Sequence, residues 1–324
     1  MLVWGIFIAF IILCLALDLG VFNRKAHEIK TKEASIWTAI WVSVALAFSG
    51  VIYWLFTEGL VENPDGLAPK TAVLKYISGY LIELSLSIDN VFVIAVIFSA
   101  FKIPPKYQHE VLFWGIIGAI LFRGLMIVFG VALIHKFDWI TYVFGAFLLI
   151  TAFRMIKHDE DSFDPKDGFI FKNLKKLFPV TTETDGDKFF IKQGAKKAAT
   201  PLFVALIIIE FTDVLFALDS IPAILAITSD PFIVFSSNIL AILGLRSMYF
   251  VISRMLAKFR YINYSLVVIL AFVGVKMILA HNMEIPEWLS LAVIILSLAA
   301  GIILSIVFPA KEDEPEKIEN STED

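Results

Sequence analysis

Two short stretches place carboxylates inside long apolar runs. Residues 83–93 read Glu-Leu-Ser-Leu-Ser-Ile-Asp-Asn-Val-Phe-Val, and residues 210–222 read Glu-Phe-Thr-Asp-Val-Leu-Phe-Ala-Leu-Asp-Ser-Ile-Pro. Setting Asp89-Asn90 on Asp219-Ser220 puts Glu83 opposite Asp213, so both stretches follow one pattern of acid, five residues, Asp, small polar residue. On a helix, Glu83 and Asn90 share a stripe, as do Asp213 and Ser220, and Glu210 neighbours Asp213. Glu83 and Asp89 are six apart, about 240° round a straight helix, so either the helix unwinds near Ser87 or the two acids have different tasks. Pro222 supplies a plausible break in the second stretch, and a break would free backbone carbonyls as further cation ligands. The donors are all oxygen: the carboxylates, the Asn90 amide and the hydroxyls of Ser85, Ser87, Thr212 and Ser220. Such a set suits Mg²⁺, Ca²⁺ or Mn²⁺ and argues against Cu(I) or thiolate-held zinc. His27, His109, His135, His158 and His281 fall in connections or at segment ends, where surface roles are expected. Cys14 is the single cysteine, which excludes an internal disulfide.

The elements that must position these groups are membrane spans. The 324 residues are 59% hydrophobic and 18% charged, with a mean hydropathy of +0.82. Soluble domains carry about 25% charge. Nine apolar segments stand out, at 2–22, 36–56, 73–100, 111–134, 138–156, 201–228, 234–253, 262–281 and 288–308, several of them exceeding the roughly 20 residues needed to cross a bilayer. This predicts an all-α polytopic membrane protein of about nine transmembrane helices, because backbone groups in lipid must be paired within their own segment. Alternate connections, counted with the C-terminal tail, hold 20 Lys and Arg, whereas the opposite ones hold only Lys70, Lys75 and Lys136. That bias places the N-terminus outside and the C-terminus in the cytoplasm. The start Met-Leu-Val-Trp lacks the basic region of a cleaved signal, so the first segment is expected to be a retained span. The net charge of −4 and the absence of a basic patch give no sign of a nucleic-acid partner.

Further landmarks repeat in order. Arg123 in LFRGLM matches Arg246 in LGLRSM, and Arg154 in TAFRMIKH matches Lys276 in VGVKMILAH, at separations of 31 and 30 residues. Each copy holds three spans, an odd number, so the second enters the membrane from the opposite side. Inverted repeats of this kind are typical of secondary transporters, whose sites lie near the midplane. The resulting organisation is two N-terminal spans in 1–72, a first three-helix repeat in 73–157, a charged cytoplasmic loop in 158–200, a second, inverted repeat in 201–281, a final span in 282–309 and a disordered acidic tail in 310–324. The loop reads either as a regulatory or docking element or as a solvated linker.

The acids within spans are Asp18, Glu83, Asp89, Glu210, Asp213 and Asp219, and the bases are Arg123, Arg154, Arg246 and Lys276. Six against four leaves two negative charges, which one divalent cation or two protons would neutralise, the arithmetic of an exchange cycle. An Asp at a span centre costs roughly 2.5–3.5 kcal/mol on the insertion scale, so these groups must face a partner, an ion or a wet cavity. Structural ion pairing by the arginines is the plainer alternative. Asp18, Arg154 and Lys276 lie near span ends, where they can reach the interface.

ELSLSIDNVFV followed by IEFTDVLFALDSIP resembles the paired signature of the TerC family, in particular its Alx-like integral membrane proteins, and the resemblance covers roughly 73–281 together with the first span and its Asp18. It implies a bacterial inner-membrane manganese exporter within the superfamily of LysE-type exporters. Glu83, Asp89, Asp213 and Asp219 would be the intramembrane acids, with Asn90 and Ser220 beside them. Glu210 aligns with Tyr80, so the site is expected to be asymmetric. The family's name refers to tellurium resistance, but a carboxylate-lined pocket repels an anion such as tellurite. The expectation is therefore export of Mn²⁺ by alternating access, with proton exchange as the candidate coupling, no resident cofactor and no enzymatic activity. Arg123, Arg246, Arg154, Lys276 and Asp18 would balance charge or relay protons. Alternatives are export of another hard divalent cation such as Ca²⁺, and a membrane scaffold that assists metalation or insertion of secreted proteins. The resemblance also leaves room for a partner in the secretion machinery. An intramembrane hydrolase is disfavoured, since no histidine sits among the acids.

Overall fold

The computed structural model describes residues 2–20, 30–137, 139–157, 169–183, 185–193, 196–253, 261–279 and 285–308. They form α1 (Leu2–Gly20), α2 (Thr31–Thr57), α3 (Pro69–Ala100), α4 (Pro105–Lys136), α5 (Ile140–Lys157), α6 (Phe169–Leu177), strands β1 (Phe190–Gln193) and β2 (Lys196–Ala199), α7 (Pro201–Leu225), α8 (Pro231–Ile252), α9 (Ile262–Leu279) and α10 (Glu287–Val307). The protein is thus mostly helical and polytopic. Six helices, α2, α3, α4, α7, α8 and α10, are long and apolar enough to cross a membrane, while α1, α5 and α9 are shorter apolar helices. All nine overlap the apolar segments of the sequence. Proline at the first turn starts α3, α4, α7 and α8, where its missing N–H is harmless. Asp230 caps α8 by accepting from the Ile233 backbone N–H at 2.9 Å.

The expected helix breaks do not occur. α3 runs without interruption through Ser87, and Pro222 lies inside α7, three residues before its last residue Leu225. So close to the terminus, a proline removes one hydrogen bond without exposing a midplane stretch of backbone.

The bundle is built by pairing. α3 packs on α8, α4 on α7 and α5 on α9, while α3 also meets α7 and α4 also meets α8. This set of principal pairings is unchanged if α3, α4 and α5 are exchanged for α7, α8 and α9. α8 is the central element, buried along most of its length, and α1, α2 and α10 add to the periphery. Glycines set the closest approaches, as lipid gives helices little hydrophobic reason to associate and small residues let backbones meet. A Cβ on Gly145 of α5 would come within 2.9 Å of the Gly274 carbonyl oxygen of α9, and one on Gly274 within 3.0 Å of the Gly145 oxygen. Leu121, Val128 and Phe129 of α4 and Leu296 and Ile306 of α10 are exposed, as lipid-facing side chains would be.

Part of the long connection before α7 is folded. β1 and β2 form an antiparallel hairpin pairing Phe190 with Ala199, and Thr200 donates to the carbonyls of Lys188 at 2.9 Å and Phe189 at 3.1 Å. α6 buries Leu174, and its Phe171 meets Phe101, just beyond α3, with ring centres 5.4 Å apart. Phe190 of the hairpin contacts Phe203 of α7 at 4.4 Å. The described part of the connection is therefore attached to the ends of α3 and α7 and is no free linker. Tail residues 310–324, expected to be disordered, lie outside the described residues.

Candidate functional site

The two acidic stretches meet around one arginine. Arg123 comes from the middle of α4 and is 1% exposed, the largest fully buried side chain among the described residues. Its guanidinium donates to Glu83 on α3, itself fully buried, and to Asp213 on α7 at 3.2 Å. The same group donates to the Ser220 hydroxyl of α7 at 3.3 Å and the Asn238 carbonyl oxygen of α8 at 3.2 Å. Asn90 of α3 closes the ring by donating to Asp213 at 3.3 Å. Three helices thus contribute polar groups to one cation buried on a fourth, which is why so polar a cluster is tolerated: a buried charge needs a partner and further hydrogen bonds.

Not every oxygen is used. Glu83 Oε2, Asp213 Oδ2, Asn90 Oδ1 and Glu210 Oε2 are buried and have no hydrogen-bond partner among the described residues. Two cavities flank the cluster. The smaller, about 30 Å³, is lined by Asn90, Thr212, Asp213 and Arg246 among apolar residues. The larger, about 120 Å³, is lined by Asn90, Arg123, Thr151, Asp219 and Ser220, with apolar residues completing its wall. Asn90 borders both. Among the described residues, no three His, Cys, Asp or Glu side chains form a ready-made metal cage; Arg123 stands between the acids.

The remaining candidates fall as follows. Asp219 accepts from the Thr151 hydroxyl of α5 at 2.9 Å. Glu210 lies against Gly118 of α4 so closely that no Cβ fits there. Arg246 is buried beside the smaller cavity. Arg154 is exposed on α5, away from the cluster. Lys276 serves a different group at the bundle end, donating to Glu287 at 3.0 Å and Ser290 at 2.9 Å of α10, where Glu287 also pairs with Lys75 at 3.4 Å. Neither Arg154 nor Lys276 joins the acids as a near counter-charge, because each sits towards the end of its helix. Asp18 falls on α1 and Asp89 on α3, and their side chains lie outside the described residues. His109 is buried rather than at the surface, packed at the start of α4. His27, His158 and His281, and the side chain of His135, lie outside the described residues.

Two residues of the cluster were missed from sequence. Asn238 in FSSNIL and Thr151 in LLITAF have no counterpart in the acid repeat. Their one signal is a polar side chain within an apolar span. Asn238 is oriented by its own helix, donating to the Val234 carbonyl at 3.0 Å, which turns its amide oxygen to Arg123.

The chain is similar to known membrane proteins over most of its length. An uncharacterized membrane protein of Myxococcus xanthus, STKORF319, is 48% identical over 304 residues, spanning 94% of this chain and 92% of that protein. An uncharacterized membrane protein of Rickettsia bellii is 41% identical over 304 residues, 94% of this chain and 97% of the relative. A protein of Escherichia coli K12 that carries the provisional name membrane-bound redox modulator Alx is 42% identical over 297 residues, 90% of each chain. No solved structure matches the chain. Residues 68–313, which contain α3 to α10 and every group bound to Arg123, match the family model described as integral membrane protein TerC family, and the chain belongs to that family.

Proposed function

We propose that the protein exports a hard divalent cation, Mn²⁺, from the cytoplasm across the bacterial inner membrane, and that it does so as a carrier and not as an enzyme. The observation that carries this reading is the meeting of Glu83, Asn90 and Asp213, each with an unused buried oxygen, in one polar cluster, beside which Asn90 and Asp213 line the smaller cavity and Asn90 and Asp219 the larger. The donor set is oxygen-only, as a hard cation prefers. The cation is cargo, so a permanent cage is not needed. The exchange symmetry of the helix pairing supports two inverted three-helix repeats, α3–α5 and α7–α9, moving against each other about a midplane site. Return of protons on the acids would balance the charge that leaves. Manganese is preferred to calcium here because the paired acidic signature resembles that of manganese exporters, while the ligand types suit both. Asp89 belongs to the proposed site by its place in the repeat.

A scaffold that aids metalation or insertion of secreted proteins is the second reading, favoured by the α6–hairpin element fixed to the ends of α3 and α7. The redox role in the name of the Escherichia coli relative cannot use an internal disulfide here, since Cys14 is the single cysteine. Purified protein in proteoliposomes decides between these readings. Wild type is expected to move Mn²⁺ down a gradient, faster with an opposing pH gradient, with Asp213→Asn and Asp219→Asn reducing flux at least about a hundredfold, the scale of losing a buried charged contact of roughly 3 kcal/mol. Equal flux through both variants and wild type would remove these acids from transport, and no flux at all would leave the scaffold.

A further inference from the structure

We propose that Arg123 is a tethered cation that occupies the cargo's place: it holds the acids together in the empty carrier, and the divalent ion loads by displacing it. This inference rests on the exporter reading and adds what fills the unloaded site and how the carrier resets.

The guanidinium makes the contacts that a bound metal would make. It draws Glu83 of α3, Asp213 and Ser220 of α7 and Asn238 of α8 to one point. Each acid gives it one oxygen, Glu83 Oε1 and Asp213 Oδ1, and keeps the other buried and without a hydrogen-bond partner. A carboxylate held so is ready to take a second cation on its free oxygen. The smaller cavity touches Asp213, Asn90 and Thr212, with the buried Arg246 also on its wall, and measures about 30 Å³, room for an ion stripped of its water shell rather than a hydrated one.

A dication at Asp213 and the guanidinium cannot share that carboxylate comfortably, since like charges in a low-dielectric site repel. The larger cavity gives the arginine somewhere to go. It is lined by Arg123 itself and by Asp219, whose carboxylate is bonded to Thr151 and to no arginine among the described residues. The arginine swings from Glu83 and Asp213 towards Asp219 as cargo enters, and returns as cargo leaves. In both the loaded and the empty carrier the arginine then keeps a carboxylate partner, which a membrane interior demands of a buried charge, while returning protons balance the charge of the departed ion.

The consequence is a split between binding and cycling. Without the tethered cation the acids bind Mn²⁺ more tightly, because nothing competes. The loaded carrier can still reorient, but the empty one carries uncompensated charge and cannot. Purified full-length wild type, Arg123→Lys and Arg123→Gln are compared in proteoliposomes with Mn²⁺ as probe. Arg123→Gln is expected to bind Mn²⁺ about tenfold or more tightly than wild type. Its net flux should fall about tenfold while exchange of radiolabelled Mn²⁺ between equilibrated compartments stays near the wild-type rate. Arg123→Lys should lie between, because one ammonium cannot serve four partners in a fork geometry. It keeps the buried charge, so it decides the matter alone if the glutamine variant does not fold. Unchanged affinity in folded Arg123→Lys, with net flux and exchange falling in step, would overturn the tether and leave a structural brace. Wild type that neither binds nor moves Mn²⁺ would instead overturn the exporter reading, and this inference with it.

Discussion

At the residue scale, the site is a competition for carboxylate oxygens. Glu83 and Asp213 each pair with Arg123 through one oxygen, whereas Asp219 is steadied by Thr151, a neutral donor from a different helix. A hydrogen bond to a charged group contributes roughly 1.5–3 kcal/mol. Removing the Thr151 hydroxyl while keeping its shape should therefore weaken the site without unfolding it. Thr151→Val is expected to raise the KM for Mn²⁺ about tenfold with little change in maximal flux. A fall in maximal flux at unchanged KM would show that Thr151 serves movement rather than binding.

At the element scale, spacing between α4 and α7 decides whether the acids can approach. Gly118 of α4 faces the Glu210 carboxylate, and a Cβ there would overlap its oxygens. Gly50 of α2 is a natural control, with nothing within 4 Å of the same hypothetical atom. In a helix, alanine is more favourable than glycine by about 1 kcal/mol, so Gly50→Ala should be neutral or stabilising. Gly118→Ala should lower the Tm and the flux, since α4 must retreat from α7 or Glu210 must leave its place. If Gly118→Ala is as stable and active as Gly50→Ala, the close approach of these helices is not needed for function.

The scale of the whole molecule concerns orientation. We propose that the connections rich in Lys and Arg along the sequence, among them the one that holds the α6–hairpin element, face the cytoplasm, as the positive-inside rule would have them. In a Cys14→Ser background, a membrane-impermeant maleimide should label Glu62→Cys, between α2 and α3, in intact cells. Lys188→Cys, exposed before β1, should be labelled only after permeabilisation. The reverse pattern would turn the proposed export into import. On the proposed topology the two acidic stretches would enter from opposite faces, so the labelling pattern tests the orientation and the inverted repeat together.

Much of this was legible in sequence because hydropathy is a local property. A run of apolar residues long enough to span lipid must satisfy its backbone internally, and so each of the nine apolar segments overlaps a helix among the described residues. The correspondence of Glu83 with Asp213 was readable as one repeated pattern, and the structure brings both carboxylates to Arg123. Partnership was not readable. Nothing in the order of residues says that Arg123 reaches across three other helices, that Asn238 and Thr151 complete the site, or that Lys276 turns to Glu287. Nor does sequence say whether Pro222 breaks a helix or rests harmlessly near its end. Those outcomes depend on which helices pack and at what separation, set by glycines such as Gly118, Gly145 and Gly274 acting between elements far apart in the chain. The primary structure by itself determined a membrane protein with costly buried acids; the tertiary structure alone decided who satisfies them, because charge in a low-dielectric interior is settled by the nearest partner in space.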